Sequence, residues 1–296
     1  MAHSISVITV NYNGLELTAA LIESLCRFVS TPLEIVVVDN GSRRDEAIEL
    51  QHRYPYIRTI RSEQNLGFAG GNNLGMRIAT GDYLLLLNND TEIEDDTLHN
   101  LAAMLDVHTD VGVVCPKICF FAPPRAIQFA GYTPLTCITL RNELLGFGAT
   151  DDGSFDVPHL TPYAHGAAMM LRREVLAKAG YMPECYFLYY EELDWSERIC
   201  EQGFTILYDP RCTVFHKESA TTGHDSPLRT FYLTRNRLLF ASRNRSGNVR
   251  LLALTYQLCV AAPKGAMVAI LCGRFDLMWA VLRGVGAFFR LKNKTI

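Results

Sequence analysis

The sequence predicts an α/β fold, a mostly parallel sheet flanked by helices, followed by a helical, basic C-terminal extension. Three observations carry this. Short aliphatic and β-branched runs alternate with helical patterns through residue 116. Polar residues cluster where those runs end. Positive charge collects in the last quarter of the chain. Strands alternating with helices imply βαβ units, a parallel sheet and right-handed crossovers. The ligand crevice of such a sheet lies beyond the carboxyl ends of its strands.

In chain order, ISVITV (5–10) reads as a buried strand, a β-branched run with no helical period. Leu17, Leu21 and Leu25 recur at helical spacing and predict a helix over 15–28. LEIVVVD (33–39) is a second strand, 45–52 a short helix and IRTI (57–60) a third strand. Residues 68–79 carry a helical pattern despite their glycines. DYLLLLN (82–88) is the fourth strand, 97–107 a helix and VGVVCP (111–116) the fifth strand. Residues 117–165, with five prolines from Pro123 to Pro162, are expected as loops and short strands. HGAAMML leads into a helix over 172–179, and FTILYDP (204–210) and CTVFHKE (212–218) read as two further short strands. The remainder is predominantly helical.

At 296 residues, 49% hydrophobic and 20% charged, the chain is globular in composition. Its nine cysteines are odd in number and without CxxC spacing, which argues against a disulfide scaffold and a zinc site. MAHSISVITV has no charged n-region or cleavage site, so the catalytic part is expected to face the cytoplasm. Residues 225–296 hold twelve Lys and Arg against Asp225 and Asp276, a charge of +10 that leaves −13 for residues 1–224. Such a split predicts two regions with different tasks, 1–224 and 225–296.

The polar clusters carry the chemistry. Asn11 and Asn13 follow the first strand, Asp39 and Asn40 the second, and Asn88, Asn89 and Asp90 the fourth. Asp39 precedes NGS, a turn that exposes the acid, which could accept the N3–H of a pyrimidine or a ribose hydroxyl; an Asx turn is the alternative. NLGFAGGNNLG (65–75) allows close backbone approach to a phosphate but lacks both the G-x-G-x-x-G and the GK[ST] order. EELDW sets Glu191, Glu192 and Asp194 at a helix start, where carboxylates are stabilised in any case. Following the aromatic run YFLYY, they also suit a sugar site. His216 ends TVFH and is a candidate metal ligand.

ISVITVNYNG, EIVVVDNGS, NLGFAGGNNLGM, GDYLLLLNNDTEI, HGAAMMLRREVLAKAG, FLYYEELDWSERICEQGFTILYDP and VFH, in this order and spacing, resemble the family 2 glycosyltransferases over roughly residues 4–245. The similarity is to the bacterial rhamnosyltransferase-like branch. The resemblance implies a GT-A fold and an inverting transfer of a sugar, rhamnose as the first choice, from a nucleoside diphosphate. The acceptor implied is a hydroxyl of a cell-surface glycan or lipid-linked molecule. It implies Mg²⁺ or Mn²⁺ held by Asp90 and His216, with Asp90 ending a DxD-type motif, and Glu192 as general base with Asp194 as second choice. Asn11, Asn13, Asp39, Asn65, Gly67, Asn72, Asn88 and Asn89 would face the nucleotide and donor. His165, Gly166, Glu191 and Trp195 would face the acceptor or sugar. Two departures stand out: Asn88 replaces the first aspartate and contributes no charge, and EE replaces the commoner ED. A dehydrogenase would need a glycine fingerprint where this chain has NYNG. A sugar nucleotidyltransferase or a non-catalytic glycan-binding or scaffold protein are the alternative functions.

The C-terminal run LLALTYQLCVAAP is uncharged but ends at Lys264 after thirteen residues, short of a bilayer span. Pro263 and Gly265 are expected to break it, and Arg274, Arg283 and Arg290 punctuate the apolar stretch beyond them. The expectation is a peripheral association with an anionic membrane, on its cytoplasmic face, with no nucleic-acid partner.

Overall fold

The computed structural model describes residues 3–217 and 226–292. The domain boundary expected at 224/225 lies outside the described residues, as do Glu218, Asp225 and Lys294.

One mixed sheet organises the molecule. Its strands are β1 (Ile5–Asn11), β2 (Leu33–Asn40), β3 (Arg58–Ser62), β4 (Tyr83–Leu87), β5 (Thr91–Glu92), β6 (Val111–Phe120), β7 (Ile127–Phe129), β8 (His159–Leu160), β9 (Ala168–Arg172) and β10 (Thr205–His216). They run in the order β3-β2-β1-β4-β9-β6-β10-β5, with β7 beside β6 and β8 beside β10. The block β3-β2-β1-β4 is parallel, as the alternating pattern predicts. α1 (Leu15–Phe28), α2 (Glu46–Arg53), α3 (Gly67–Ile78) and α4 (Leu98–Val107) connect its strands and cover the sheet. Leu84 to Leu87 are at most 2% exposed, because β4 is a central strand between β1 and β9.

Two expectations change. Residues 168–172, the lead-in to the expected helix, are themselves a strand, β9, wedged antiparallel between β4 and β6, and the helix follows directly. Residues 204–218 do not make two strands. β10 is one strand whose register against β6 slips between Asp209 and Thr213, a bulge that absorbs Pro210.

After β9 come α5 (Arg173–Ala179), a 3₁₀ turn at Glu184–Tyr186 and α6 (Glu191–Glu201). The C-terminal region holds α7 (Pro227–Asn244), α8 (Gly247–Tyr256), α9 (Ala262–Leu271) and α10 (Phe275–Lys292). Phe240 and Ala253 share a buried cluster with Leu140, Tyr186 and Tyr190, so α7 and α8 are packed onto the loops around α6. Gly284 sets α10 against α7, where an added Cβ would come within 2.8 Å of the Phe231 carbonyl oxygen. Pro263 does not break the helix. A π turn over Gln257–Ala261 joins α8 to α9, leaving a continuous 25-residue helix, Gly247–Leu271, that is long and apolar enough to cross a membrane by length and composition.

Candidate active site

A cleft of about 460 Å³ opens at the carboxyl ends of β1, β2 and β4. Asn40, Asn65 and Gly67 form one wall, Asn88, Asn89 and Asp90 the floor, and His165 and His216 the far side. Tyr12, Phe187, Tyr189 and Arg229 also line it.

The floor is built by the turn out of β4. Asn88 accepts from the amide and hydroxyl of Thr91. Thr91 and Glu92 then pair antiparallel with Phe215 and His216, and the Lys217 amide donates to the Asp90 carbonyl. This clamp sets the Asp90 Oδ1 3.1 Å from His216 Nε2, both residues being buried. His216 Nδ1 lies 2.8 Å from Oε1 of Gln128, itself 3% exposed on β7. With that amide oxygen accepting, Nδ1 carries a ring hydrogen, and Nε2 shares either a proton or a bound cation with the Asp90 carboxylate.

Among the described residues no three His, Cys, Asp or Glu side chains gather at one point. The donor set is therefore one carboxylate and one imidazole, with the Asn88 amide on the same floor. That set fits a divalent cation that draws its remaining ligands from phosphate oxygens and water. Gln128 is a residue that sequence reading missed. It lies 88 positions from His216 in the chain, and an isolated glutamine carries no motif. Because such outer partners fix the tautomer of a ligating histidine, Gln128→Leu should weaken Mn²⁺ affinity about 10–100-fold, measured by titration in the presence of a nucleoside diphosphate.

The wall at Asn65–Gly67 is held by Asn40, which donates to the Asn65 side chain and the Gly67 carbonyl and accepts from the Leu66 amide. Gly67 has φ +74°, and an added Cβ would stand 2.2 Å from the Phe187 oxygen, so only glycine fits where the two loops meet. The facing loop is strained: Phe187, Tyr189 and Tyr190 all have positive φ, an arrangement that survives only when its surroundings enforce it. Asn236 of α7 enforces it by donating to the Tyr186, Leu188 and Tyr189 carbonyls.

That loop delivers α6. Glu191 is buried, one carboxylate oxygen lacks a partner, and burial first, then Glu192, push it well above the usual carboxylate range. Burial pushes half-buried Glu192 up to about 7. The charge of Glu192 acts on Tyr132, whose ring stacks on His165 of the cleft wall. Burial first, and the charge of His216 second, hold His165 down to about 3, so its imidazole is neutral. Its Nδ1 accepts from the Ala167 amide at 3.1 Å, which leaves Nε2–H as a donor.

Several candidates lie elsewhere than expected. Asp39 is not exposed by its turn: it is fully buried, accepts from the Ser42 and Glu46 amides and faces Arg61 at 3.4 Å. An anion so satisfied belongs inside. Asn11 is a buried tie between Thr18 and Glu46, Asn13 accepts from the Arg43 amide, and Asn72 donates to Phe68 one turn back in α3. None of these four lines the cleft. Asp194 is 1% exposed, accepts from Tyr186 and pairs with Arg198 and Arg243. Trp195 is a core residue, 1% exposed, whose indole N–H donates to the Gly180 carbonyl. Gly166 lies beside Phe68 of the wall.

The chain matches the model of Glycosyl transferase family 2 over residues 6–180, more than half its length. It is 28% identical over 246 residues to the low-salt glycan biosynthesis hexosyltransferase Agl10 of Haloferax volcanii, covering 81% of this chain and 76% of that protein. It is 21% identical over 273 residues to the N-acetylglucosaminyl-diphospho-decaprenol L-rhamnosyltransferase of Mycobacterium tuberculosis, covering 83% and 87%. Among solved structures it superposes with a TM-score of 0.61 and 16% identity on GalNAc-T7 with UDP, GalNAc and Mn²⁺. That match covers 86% of this chain and only 55% of GalNAc-T7, and it shows the GT-A fold. The chain is a glycosyltransferase and belongs to glycosyl transferase family 2.

Proposed function

We propose that the chain transfers a hexose, rhamnose as first choice, from a nucleoside diphosphate to a hydroxyl of a lipid-linked cell-surface glycan, inverting the anomeric carbon. The observation that carries this is the Asp90–His216 pair on the cleft floor, oriented by Gln128, with Glu192 outside the cleft lining and linked to it through Tyr132 and His165. A divalent cation bound by Asp90 and His216 would neutralise charge on the departing diphosphate.

The chain's own residues supply the rest. Asn40, Asn65 and Gly67 shape the wall for the nucleotide, and Tyr12 offers a ring there in place of the buried Asp39. Glu192 takes the proton from the attacking hydroxyl. A carboxylate raised to about 7 is half ionised near neutral pH and basic enough to do so. Attack from that side, opposite the diphosphate, inverts the configuration. The name of the M. tuberculosis relative supports rhamnose and a diphospho-lipid acceptor. Incubation with dTDP-rhamnose, UDP-hexoses and GDP-mannose in Mn²⁺, with nucleoside diphosphate release measured, tests the reading. One donor should be turned over; release of diphosphate only from nucleoside triphosphates with a sugar phosphate would favour a nucleotidyltransferase.

The C-terminal helices support a peripheral seat on the cytoplasmic face of a membrane. Leu251, Leu252, Met267, Leu271 and Trp279 are all more than half exposed on α8 to α10, an apolar surface larger than a solvated face tolerates. Ala253 of α8 is buried with Tyr190 and Phe240, which favours the Gly247–Leu271 helix lying along the interface, not crossing it. The paired change Met267→Glu and Leu271→Glu should release the protein from anionic vesicles in a flotation assay; unchanged flotation would contradict the membrane seat.

A further inference from the structure

A second cavity, of about 480 Å³, lies between α7, the π turn, α9 and α10, and none of the residues assigned to sugar transfer lines it. Its walls are apolar, with Ala261, Val268, Leu277 and Val281 among them, yet three arginines line it: Arg141, Arg237 and Arg274. Arg274 is neutralised by a bidentate pair with Asp276 at 2.7 and 2.9 Å. Arg141 and Arg237 have no carboxylate partner among the described residues. Arg141 is exposed and Arg237 half-buried, so two charged guanidinium groups stand available to an anion at the edge of an apolar cavity.

We infer that this cavity binds the phosphate or diphosphate head of the lipid that carries the acceptor, with the hydrocarbon chain leaving along the α9–α10 face. Charge complementarity selects the head, since paired guanidinium groups match phosphate oxygens by bidentate hydrogen bonding. The surroundings select a lipid over a free phosphate. The lining residues Val268, Cys272 and Arg274 are flanked in sequence by the exposed apolar residues Met267, Leu271 and Phe275, a surface for hydrocarbon and not for water. Position links the site to the chemistry. Arg237 Nε donates to the Tyr190 hydroxyl at 3.0 Å, and Tyr190 immediately precedes the Glu191–Glu192 pair at the start of α6. The same α7 that lines this cavity with Thr230 and Arg237 lines the catalytic cleft with Leu228 and Arg229. A head group on Arg141 and Arg237 would hold its attached sugar near Tyr190 and the start of α6. The inference rests on the reading of a lipid-linked acceptor and assigns that acceptor its anchoring site.

The test is calorimetric titration of the full-length protein with farnesyl diphosphate, inorganic pyrophosphate and farnesol, all in EDTA so that the cleft floor cannot take diphosphate through a cation. Farnesyl diphosphate should bind at least tenfold more tightly than either fragment. Arg141→Gln, whose side chain is exposed and supports no described contact, and Arg237→Gln should each weaken it about tenfold. Asp90→Ala should leave it unchanged. Stabilisation by a nucleoside diphosphate with Mn²⁺ checks that each arginine variant is folded. Equal binding of pyrophosphate and farnesyl diphosphate, or wild-type affinity in the Arg141→Gln, Arg237→Gln double variant, would overturn the assignment. If wild type glycosylates a prenyl-diphospho-sugar and the double variant does so with the same KM, the site fails while the acceptor class stands. If wild type accepts only soluble glycans and binds no prenyl diphosphate, the acceptor reading fails with it.

Discussion

Asp90→Ala should lower transfer on the order of 10³-fold or more, the scale of losing a preorganised charge stabiliser at a reacting centre. The loss should come without unfolding. His216 keeps its bond to Gln128, and the clamp between β5 and β10 uses backbone atoms of residues 90–92 that the substitution retains. The variant should therefore melt as a folded protein yet lose the stabilisation that a nucleoside diphosphate with Mn²⁺ gives the wild type by mass action. In the wild type, EDTA should abolish transfer, and Mn²⁺ or Mg²⁺ should restore it. Full activity in chelator would remove the cation from the mechanism and leave the neutral Asn88 as the feature to explain.

Glu192→Gln should cut kcat about 10²–10⁴-fold while donor affinity holds, because the amide keeps the shape and loses the base. The wild-type rate should fall as pH drops through about 7, where the carboxyl takes up its proton. Stability supplies an independent readout with a defined sign. The folded-state value lies above the ordinary 4.5, so between roughly 4.5 and 7 the folded chain keeps a proton that the unfolded chain has released. Stability is then full below that window and falls as pH rises through it. Glu192→Gln removes the cost, so the variant should melt higher than wild type at pH 8 and equally near pH 4. A variant that is inactive and melts lower at pH 8 would mean lost packing instead of a lost base. If Glu192→Gln is nearly wild type while Asp194→Asn is dead, the roles are reversed, although Asp194 is occupied by Tyr186, Arg198 and Arg243.

Much of the fold was legible because local pattern and global position agree. Four leucines followed by Asn-Asn-Asp fit a buried strand that ends at a crevice as well as one that ends in a plain turn, and β4 is that central strand. β9 was not legible: AMMLR has no period that separates a buried strand from the start of a helix, and its antiparallel partners, β4 and β6, are remote in sequence. The continuity of α8 with α9 was hidden for a different reason, since a proline reads as a breaker unless the π turn before it is known.

For the site, Asn88, Asn89 and Asp90 end a strand at the cleft as expected, whereas Asn11, Asn13 and Asp39 follow or end strands without lining it. Asp39 precedes a turn and is nevertheless buried by backbone donors and Arg61. Trp195 follows acids that suit a sugar site, yet the helix turns its ring into the core. Gln128, Asn236 and the Tyr132–His165 stack depend on contacts across 33 to 88 positions or on a strained loop, and no short motif announces them.

Crystals grown with a nucleoside diphosphate and Mn²⁺ offer the most direct test, through the anomalous signal of the metal. One strong peak is expected at coordination distance from an Asp90 carboxylate oxygen and His216 Nε2, with diphosphate oxygens completing the shell and no metal at Glu192. A nucleotide bound in the cleft with the peak absent, or with manganese on Glu191 and Glu192, would contradict the assignment of the cation to Asp90 and His216.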